Sequence, residues 1–197
     1  MKIAILILAA GNSSRMGSPK QLLKINGKTF IEIAIENAIE TNVKAVFCVL
    51  GANAEKITSK ISHQNVEFIF NKKYQKGLSS SIVSGVEYIE KQPLNFDAIL
   101  IVLVDQPEVN SQYLTEIITT YQKNNTKIVA SSYSKKSGVP AIFPKKYFKS
   151  LQLLKGDKGA KDFLQKHESE IIQLKREQSF LDIDLPEEYQ SYLKSLK

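Results

Sequence analysis

The residues best suited to chemistry lie in a glycine-containing segment that follows the first apolar run of the chain. Ile3–Leu8 is continuously apolar, which is typical of a strand buried on both faces of a parallel sheet. The chain then passes Gly11 and Gly17, and Arg15 and Lys20 add positive charge. Open α/β sheets bind ligands at the carboxyl ends of their strands, and glycine lets backbone N–H groups approach a phosphate. The segment therefore predicts a site for a nucleoside triphosphate.

Two better-known phosphate-binding loops do not fit this segment. The P-loop needs four residues between its glycines and then a Lys-Ser or Lys-Thr pair. Here five residues separate Gly11 from Gly17, and Ser18-Pro19 follows. The dinucleotide fingerprint needs three glycines spaced G-x-G-x-x-G, and only Gly11 stands at this turn. What remains is another type of nucleotide site, or an ordinary strand-to-helix turn with scattered charges.

A carboxylate follows a second apolar run. Asp105 comes directly after Ala98–Val104, so we expect it at the same rim of the sheet as the loop containing Gly11. Mg²⁺ prefers one or two carboxylates together with phosphate oxygens and waters. We therefore predict that Asp105 holds a Mg²⁺ ion that bridges the triphosphate. The alternative is that Asp105 only forms a turn with Pro107.

A second pair of carboxylates lies near the end of the sequence. Alternation along 181–184 predicts that Asp182 and Asp184 share one face, opposite Leu181 and Ile183. A helix is expected to begin at Pro186 with acidic residues in its first turn, so capping explains part of the pattern. We predict Asp184 as the second metal ligand and Asp182 as the weaker candidate.

A serine-rich segment, Gly77–Gly85, follows the apolar run Val66–Phe70 and leads into a predicted helix. Hydroxyl and N–H groups at a helix start can bind ribose, a base edge or a phosphate. Helix capping needs one serine rather than three in a row, so we expect ligand contacts here, with Ser81 favoured over Ser79. Gly51, at the exit of another predicted strand, is a candidate for approaching the base.

Cysteine and histidine offer little further chemistry. Cys48 is the only cysteine and lies in an apolar run, which predicts a buried small side chain and fits a reducing cytoplasm. The apolar start of the chain runs straight into the Gly11 loop, which argues against a signal peptide. We expect His63 and His167 at the surface, and no Ser-His-Asp or Cys-His arrangement is evident.

Strand-like and helix-like segments alternate along the chain. The predicted strands are Ile3–Leu8, Ala45–Leu50, Val66–Phe70, Ala98–Val104 and Ile128–Ala130. The predicted helices are Phe30–Glu40, Ser79–Glu90 and Ser111–Asn124, the last two opened by capping serines. Val139–Phe143 is predicted as an edge strand because it contains proline, and Lys145–Lys197 as interrupted helices. The alternation predicts a single α/β domain over residues 1–197, with a Rossmann-like, mostly parallel sheet and helices on both faces.

Composition narrows the function classes. The chain has 197 residues, 43% of them hydrophobic, and a net charge of +7. Its lysines are spread along the sequence without a base-reading motif, which argues against nucleic acid and fits a solvated surface that attracts anionic substrates. The apolar runs are too short to span a membrane. We therefore predict a cytoplasmic protein without nucleic-acid or membrane partners.

Several blocks of sequence together resemble a known family. They are L-A-A-G-x-S-S-R-M-G-x-P-K-Q-L-L, G-L-S-S-S-I-x-x-G, L-V-D-Q-P, G-x-P-A-x-F-P, G-D-x-G-A-K and D-I-D-x-P-E-E-Y. From Ile3 to Tyr189 the chain resembles the molybdenum cofactor cytidylyltransferases, which are nucleotidyltransferases related to molybdopterin-guanine dinucleotide biosynthesis proteins. Two positions depart from the pattern: Leu185 replaces a usual threonine, and no proline follows Asn71. Neither departure removes a charged group.

The resemblance implies a fold of the nucleotide-diphospho-sugar transferase type and transfer of CMP from CTP to the terminal phosphate of molybdenum-molybdopterin. It also implies a supply role toward a molybdenum hydroxylase client of the xanthine-dehydrogenase type. With the residues above, it predicts Arg15, Lys20 and Asp105 as catalytic and Mg²⁺ on Asp105 and Asp184. The predicted nucleotide-binding residues are Leu8, Ala9, Ala10, Gly11, Arg15, Lys20, Gly51, Gly77, Ser79, Ser81 and Asp105.

Other functions remain compatible with the sequence. One is guanylyl transfer, although the resemblance implies that guanine users carry glycine where Ala10 stands. Another is nucleotidyl transfer to a methylerythritol or sugar phosphate. A third, from a different class, is a non-catalytic protein that binds the cofactor and delivers it to a hydroxylase. Pyrophosphate release separates the enzymes from the delivery protein.

Overall fold

The computed structural model describes residues 1–61, 65–133, 136–175 and 180–196. Its strands are β1 (Ile3–Ala9), β2 (Lys24–Ile25), β3 (Lys28–Thr29), β4 (Ala45–Leu50), β5 (Glu67–Phe70), β6 (Ala98–Leu103), β7 (Ile128–Tyr133), β8 (Lys136–Pro144) and β9 (Ile171–Leu174). Its α-helices are α1 (Phe30–Glu40), α2 (Ala54–Thr58), α3 (Leu78–Glu90), α4 (Ser111–Lys123), α5 (Phe148–Gln152), α6 (Lys161–Lys166) and α7 (Pro186–Ser195). Within the described residues, no helix is both long and apolar enough to cross a membrane.

Seven strands form one sheet in the order β5-β4-β1-β6-β8-β7-β9, and β2 pairs with β3 in a small separate hairpin. In this sheet β8 alone runs antiparallel to its neighbours. The central strands are parallel because helical connections return the chain each time to the end of the sheet where the previous strand began. The carboxyl ends of β1, β4 and β6 therefore lie side by side. The prediction of a mostly parallel sheet is confirmed.

The position predicted for Val139–Phe143 is wrong, because β8 lies inside the sheet between β6 and β7 rather than at an edge. The register with β7 shifts between Ala130 and Ser131, whose partners are Ala141 and Gly138. Val139 and Pro140 therefore fall at an irregularity in the ladder. Since proline cannot donate a ladder hydrogen bond, such an irregularity lets it lie in an interior strand.

The sheet separates two hydrophobic cores. All seven residues of β1 are buried, and successive side chains point to opposite faces. Ile5 and Ile7 pack in the core that contains α1 and α4 side chains, whereas Leu6 and Leu8 pack in the core of α3, α5 and α6. Burying each such side chain contributes roughly 1.5–3 kcal/mol. The two cores hold β1 rigidly, and with it the start of the loop that follows.

Helix α1 has the predicted bounds, and its N-terminus is capped by Thr29 and Glu32, which bond reciprocally. The prediction that serines cap α3 and α4 is wrong. Helix α3 begins one residue earlier with Gly77 at its cap position, and the Asn110 side chain caps α4 by accepting from the Tyr113 N–H.

The prediction that Lys145–Lys197 is helical between its interruptions is wrong at β9, which pairs in parallel with β7. Strand β9 has only four residues, all half-buried, so its pattern carries no clear periodicity of its own.

Candidate functional site

A buried glutamine shapes the loop after β1. Gln21 is fully buried, and its Nε2 donates to the carbonyl oxygens of Ala9 and Gly11, each at 2.8 Å. The hydroxyl of Ser13 accepts from the backbone N–H of Lys20 at 3.0 Å. These bonds join the start of the loop, at residues 9–13, to its end at residues 20 and 21. Lys20 is therefore held in a fixed place. We refer to residues 10–20 as the phosphate loop.

Lys20 joins two carboxylates that lie far apart in sequence. Its Nζ donates to Asp105, which follows β6, and to Asp184 Oδ1 at 2.9 Å, just before α7. Arg15 Nη2 contacts the other oxygen of Asp184 at 3.2 Å. The Lys20 side chain is only 13% exposed, whereas that of Arg15 is 65% exposed. The four groups form a balanced network of two positive and two negative charges.

The electrostatics of the network favour the charged forms. Burial acts to lower the pKa of Lys20, but the charge and hydrogen bond of Asp105 and the contact with Asp184 raise it above its ordinary value. Partial burial acts to raise the pKa of Asp184, but Lys20 and then Arg15 outweigh it and hold that pKa below its ordinary value. Both groups therefore stay ionised at neutral pH.

This network predicts an acid-sensitive contribution to stability. Because the pKa of Asp184 is lower in the folded than in the unfolded state, its contribution is present above the unfolded pKa and is lost as the pH falls through the folded pKa. We expect Asp184→Asn to lower the free energy of unfolding at pH 7 and to flatten its decline between pH 5 and about 3. Urea unfolding at several pH values measures both; parallel pH profiles for parent and variant would contradict it.

Backbone bonds place Asp184 beside Asp105. The N–H of Ile183, which is fully buried, donates to the Asp105 carbonyl at 3.0 Å. The Glu188 carboxylate accepts from the N–H groups of Asp184 and Leu185 at 2.8 and 2.9 Å. The prediction that Leu181 and Ile183 share an inward face is half right, because Ile183 is buried but Leu181 is exposed. The acidic first turn of α7 anchors the Asp184 loop as well as capping the helix.

Asp182 has a different environment. Its Oδ1 accepts from Gln106 Nε2 at 2.8 Å, and the same Nε2 donates to Tyr133 Oη at 2.8 Å. Burial, together with the negative charges of Asp105 and Asp184, raises the pKa of Asp182 despite the hydrogen bond from Gln106. The structure thus brings Asp184, and not Asp182, into contact with Lys20. Neither Gln106 nor Gln21 was predicted, since a buried glutamine has no periodic signature.

The carboxylates fit a hard divalent cation. Asp105 Oδ1 is buried without a hydrogen-bond partner among the described residues, while its other oxygen and Asp184 Oδ1 converge on one ammonium group. The described residues contain no group of three or more histidine, cysteine or acidic side chains suited to a metal. An ion here would be held by these two carboxylates and completed by substrate oxygens and water, as Mg²⁺ commonly is.

A cavity of about 350 Å³ opens beside the network. That size is in the range of small-molecule sites. Its lining residues are Leu8, Ala9, Ala10, Gly11, Asn12, Lys20, Gln21, Tyr74, Gln75, Gly77, Leu78, Ser81, Leu103, Val104, Asp105 and Asp157. Eight of the predicted nucleotide-binding residues are thus brought to one cavity. Tyr74 and Asp157 were missed, since loops that meet only in three dimensions leave no local pattern.

Arg15, Gly51 and Ser79, also predicted to bind nucleotide, do not line this cavity. A Cβ on Gly51 would lie 2.5 Å from Tyr74 Cβ and 2.7 Å from the Ala10 carbonyl, so Gly51 instead lets Tyr74 approach the cavity. Ser79 is buried in α3, and its hydroxyl lacks a partner among the described residues. The Asn71 side chain donates to both Ser80 and Ser81, which orients the serines.

The histidine and cysteine predictions have mixed outcomes. His63 lies outside the described residues. His167 is half-buried rather than at the surface, stacked on Phe163 with ring centroids 4.1 Å apart. Cys48 is fully buried, as predicted, and burial raises the pKa of its thiol. Neither described side chain contributes to the cavity.

The phosphate loop, Asp105 and the residues that line the cavity lie in a segment that matches a protein-family model, whereas Asp184 lies beyond that segment. Residues 5–171 match the MobA-like NTP transferase domain. The chain belongs to the MobA-like NTP transferase family. It is therefore a nucleotidyltransferase of the MobA-like type, and the family predicted from the sequence blocks is confirmed.

Two relatives illustrate the range of the family. The chain is 26% identical to purine catabolism protein PucB of Bacillus subtilis (strain 168), over 93% of this chain and 92% of that protein. It is 28% identical to nicotine blue oxidoreductase of Paenarthrobacter nicotinovorans, over 66% of this chain and 61% of that protein. Relatives with different names share this sequence pattern, so the reaction that this chain catalyses has to be inferred from its site.

Solved structures establish the fold. Rv0371c of Mycobacterium tuberculosis H37Rv, in a complex with manganese, superposes with a TM-score of 0.82 at 24% identity, over 99% of this chain and all of that chain. A UDP-glucose pyrophosphorylase complexed with UDP-glucose superposes with a TM-score of 0.76 at 18% identity, over 100% of this chain and 98% of that chain. The fold is of the nucleotide-diphospho-sugar transferase type.

Proposed function

We propose that this MobA-like transferase moves CMP from CTP to the terminal phosphate of molybdenum-molybdopterin and releases pyrophosphate. Residues 1–197 act as one nucleotidyltransferase domain in the cytoplasm, with Mg²⁺ as the metal. The observation that carries this proposal is the Lys20 ammonium group held between Asp105 and Asp184, beside a cavity and behind the phosphate loop.

The network supplies what nucleotidyl transfer requires. The acceptor phosphate attacks the α-phosphorus of the nucleotide, the α–β anhydride bond breaks, and pyrophosphate leaves with the bond's electron pair. The attacking phosphate is already anionic, so no general base is needed. Catalysis then consists of positioning and charge neutralisation. Mg²⁺ held by Asp105 and Asp184 would supply Lewis-acid stabilisation of the phosphate oxygens.

The phosphate loop and the charged residues of the network have different roles. The Ala9 and Gly11 carbonyls, fixed by Gln21, hold the course of the phosphate loop, so its N–H groups are available to phosphate. Lys20 and Arg15 neutralise phosphate charge once their carboxylate partners are engaged by a cation. Preformed charges cost no reorganisation during the reaction, which makes them effective in catalysis.

One observation supports CTP as the nucleotide, and the name of one relative supports the proposed client enzyme. The Ala10 side chain is buried at the cavity wall, and its carbonyl accepts from Ala52 N–H at 3.1 Å, so the methyl group cannot easily withdraw. A methyl group there leaves less room for a purine than glycine would. The relative PucB is named for purine catabolism, which agrees with a supply role toward xanthine-dehydrogenase-type hydroxylases as client enzymes.

Thermal unfolding tests the choice of nucleotide. A ligand that binds only the folded state stabilises it by about 2.7 kcal/mol at a hundredfold excess over Kd. For a chain of this size, that corresponds to a rise in Tm of roughly 5–11 °C with CTP and Mg²⁺. GTP should give a clearly smaller shift, because a larger base must displace the Ala10 methyl. Pyrophosphate release with each nucleotide, with and without molybdenum-molybdopterin, is the matching activity assay.

Each other outcome assigns a different function. A shift with GTP equal to that with CTP, together with GTP-dependent pyrophosphate release, would make this chain a guanylyltransferase. Since size exclusion alone discriminates only about 10- to 200-fold, a small shift at high GTP concentration is compatible with the proposal. A folded protein that shifts with no nucleotide in Mg²⁺ would instead be a non-catalytic delivery protein.

A further inference from the structure

Asp157 is an acidic side chain in the cavity that the charge network does not use. It lies in residues 153–160, the connection between α5 and α6, and it lines the cavity with Gly77 and Ser81. The residue is exposed, and no hydrogen bond or ion pair engages its side chain among the described residues. An unpaired carboxylate in a nucleotide cavity calls for a chemical role.

The structure fixes Asp157 against the start of α3. Gly77 has φ +90°, and a Cβ there would lie 2.0 Å from Asp157 Oδ1 and 2.7 Å from the Gly156 carbonyl. That carbonyl accepts from Ser79 N–H at 3.1 Å. Gly159, at φ +57°, has the Leu78 side chain 2.7 Å from its own Cβ position. Glycine at 77 thus permits the carboxylate to sit at the cavity wall, where the N-terminus of α3 favours negative charge.

The location within the cavity separates Asp157 from the phosphates. Lys20 lines the cavity beside Asp105 and Asp184, whereas Gly77, Ser81 and Asp157 line it where α3 begins. A triphosphate bound by Lys20 and Arg15 is repelled by a further carboxylate, so the nucleoside end of the ligand must face Asp157. The ribose adjoins the phosphates, and the base extends farther from Lys20.

We propose that Asp157 is a specificity-determining residue that accepts a hydrogen bond from the exocyclic amino group of the base. This inference rests on the proposed nucleotidyl transfer. An ionised carboxylate only accepts hydrogen bonds, so it pairs with the 4-amino group of cytosine. Uracil places a carbonyl oxygen at the same ring position, which the carboxylate repels. Asp157 therefore selects CTP over UTP, a distinction that the Ala10 methyl cannot make because the two bases have the same size.

The experiment measures calorimetric Kd values for CTP, UTP and 2′-deoxy-CTP with Mg²⁺, using the parent chain, Asp157→Asn and Asp157→Ser. An amide can donate to the uracil carbonyl, and removal of a charge-assisted hydrogen bond costs about 10- to 100-fold. We expect both variants to reduce the preference for CTP over UTP by that factor, and the preference for CTP over 2′-deoxy-CTP to stay unchanged. Asp162→Asn is the matched control, since its side chain pairs with Lys158 at 3.1 Å and lies outside the cavity lining.

The other outcomes overturn the inference in recognisable ways. Variants that melt at a lower temperature but keep the parent's CTP-to-UTP ratio would reduce Asp157 to a charge at the N-terminus of α3. A change confined to the 2′-deoxy-CTP ratio would mean that Asp157 contacts the ribose instead. A parent chain that binds no nucleotide at all contradicts the proposed function itself, whereas CTP binding with unaltered ratios contradicts only the role of Asp157.

Discussion

Asp105→Asn is expected to fold and to lose nucleotidyl transfer by at least about 10²-fold in kcat. The carboxylate contacts Lys20 and lines the cavity, and its buried Oδ1 has no hydrogen-bond partner among the described residues that could replace an ion. An amide at this position keeps the shape of the side chain but removes the charge that a divalent cation needs. Pyrophosphate release at saturating CTP and Mg²⁺ measures the loss, and far-ultraviolet circular dichroism checks the fold.

The neighbouring acidic residues provide the comparison for Asp105. Asp184→Asn should resemble Asp105→Asn, because both carboxylates contact Lys20. Asp182→Asn should be milder, because its carboxylate bonds to Gln106 instead. Near-normal turnover in the Asp105 variant, or an Asp182 variant more impaired than the Asp184 variant, would contradict the assignment of the metal ligands.

Lys20→Met is expected to lower kcat/KM by about 10- to 100-fold. The substitution removes one charge-assisted contact to phosphate, worth roughly 1.5–3 kcal/mol, and each 1.4 kcal/mol is a factor of about ten. It also leaves Asp105 without its ionic partner, so the variant should melt at a lower temperature than the parent. Arg15→Met removes the same charge from a largely exposed side chain and should have a smaller effect at high ionic strength.

Lys72→Ala is the control for the Lys20 variant. Lys72 is exposed, does not line the cavity, and has no ion-pair partner among the described residues. Its removal should leave kcat/KM within twofold of the parent, which is about 0.4 kcal/mol. Equal losses at Lys20 and Lys72 would mean that general attraction of the basic surface, rather than the phosphate loop, accounts for substrate binding.

The sequence predicts best those site residues that directly follow a buried strand or begin a helix. The phosphate loop follows a seven-residue strand that is buried on both faces, so its place at the sheet rim follows from strand direction alone. Asp105 follows β6 for the same reason. Ser81 is also predictable, because it lies in the first turn of a long amphipathic helix.

The parts that escape prediction depend on contacts between distant segments. Gln21 and Gln106 are polar residues whose burial becomes visible only when their partners are in place. Asp157 reaches the cavity because Gly77, about 80 positions earlier in the chain, leaves room for it. The interior position of β8 depends on a register shift in its pairing with β7. The pattern of residues along β8 does not predict that shift.

The charge network also constrains when activity can arise during protein synthesis. Lys20 and Asp184 are 164 positions apart, and residues of a growing chain appear in order. The phosphate loop and Asp105 leave the ribosome while the second carboxylate has yet to be made. A nascent chain therefore lacks part of the charge network. Lys20 can contact Asp184 only after the Ile183 N–H has bonded to the Asp105 carbonyl. Completion of the catalytic charges therefore has to wait until Asp184 has been made and Ile183 has docked, and chains that stop before Asp184 should not consume nucleotide.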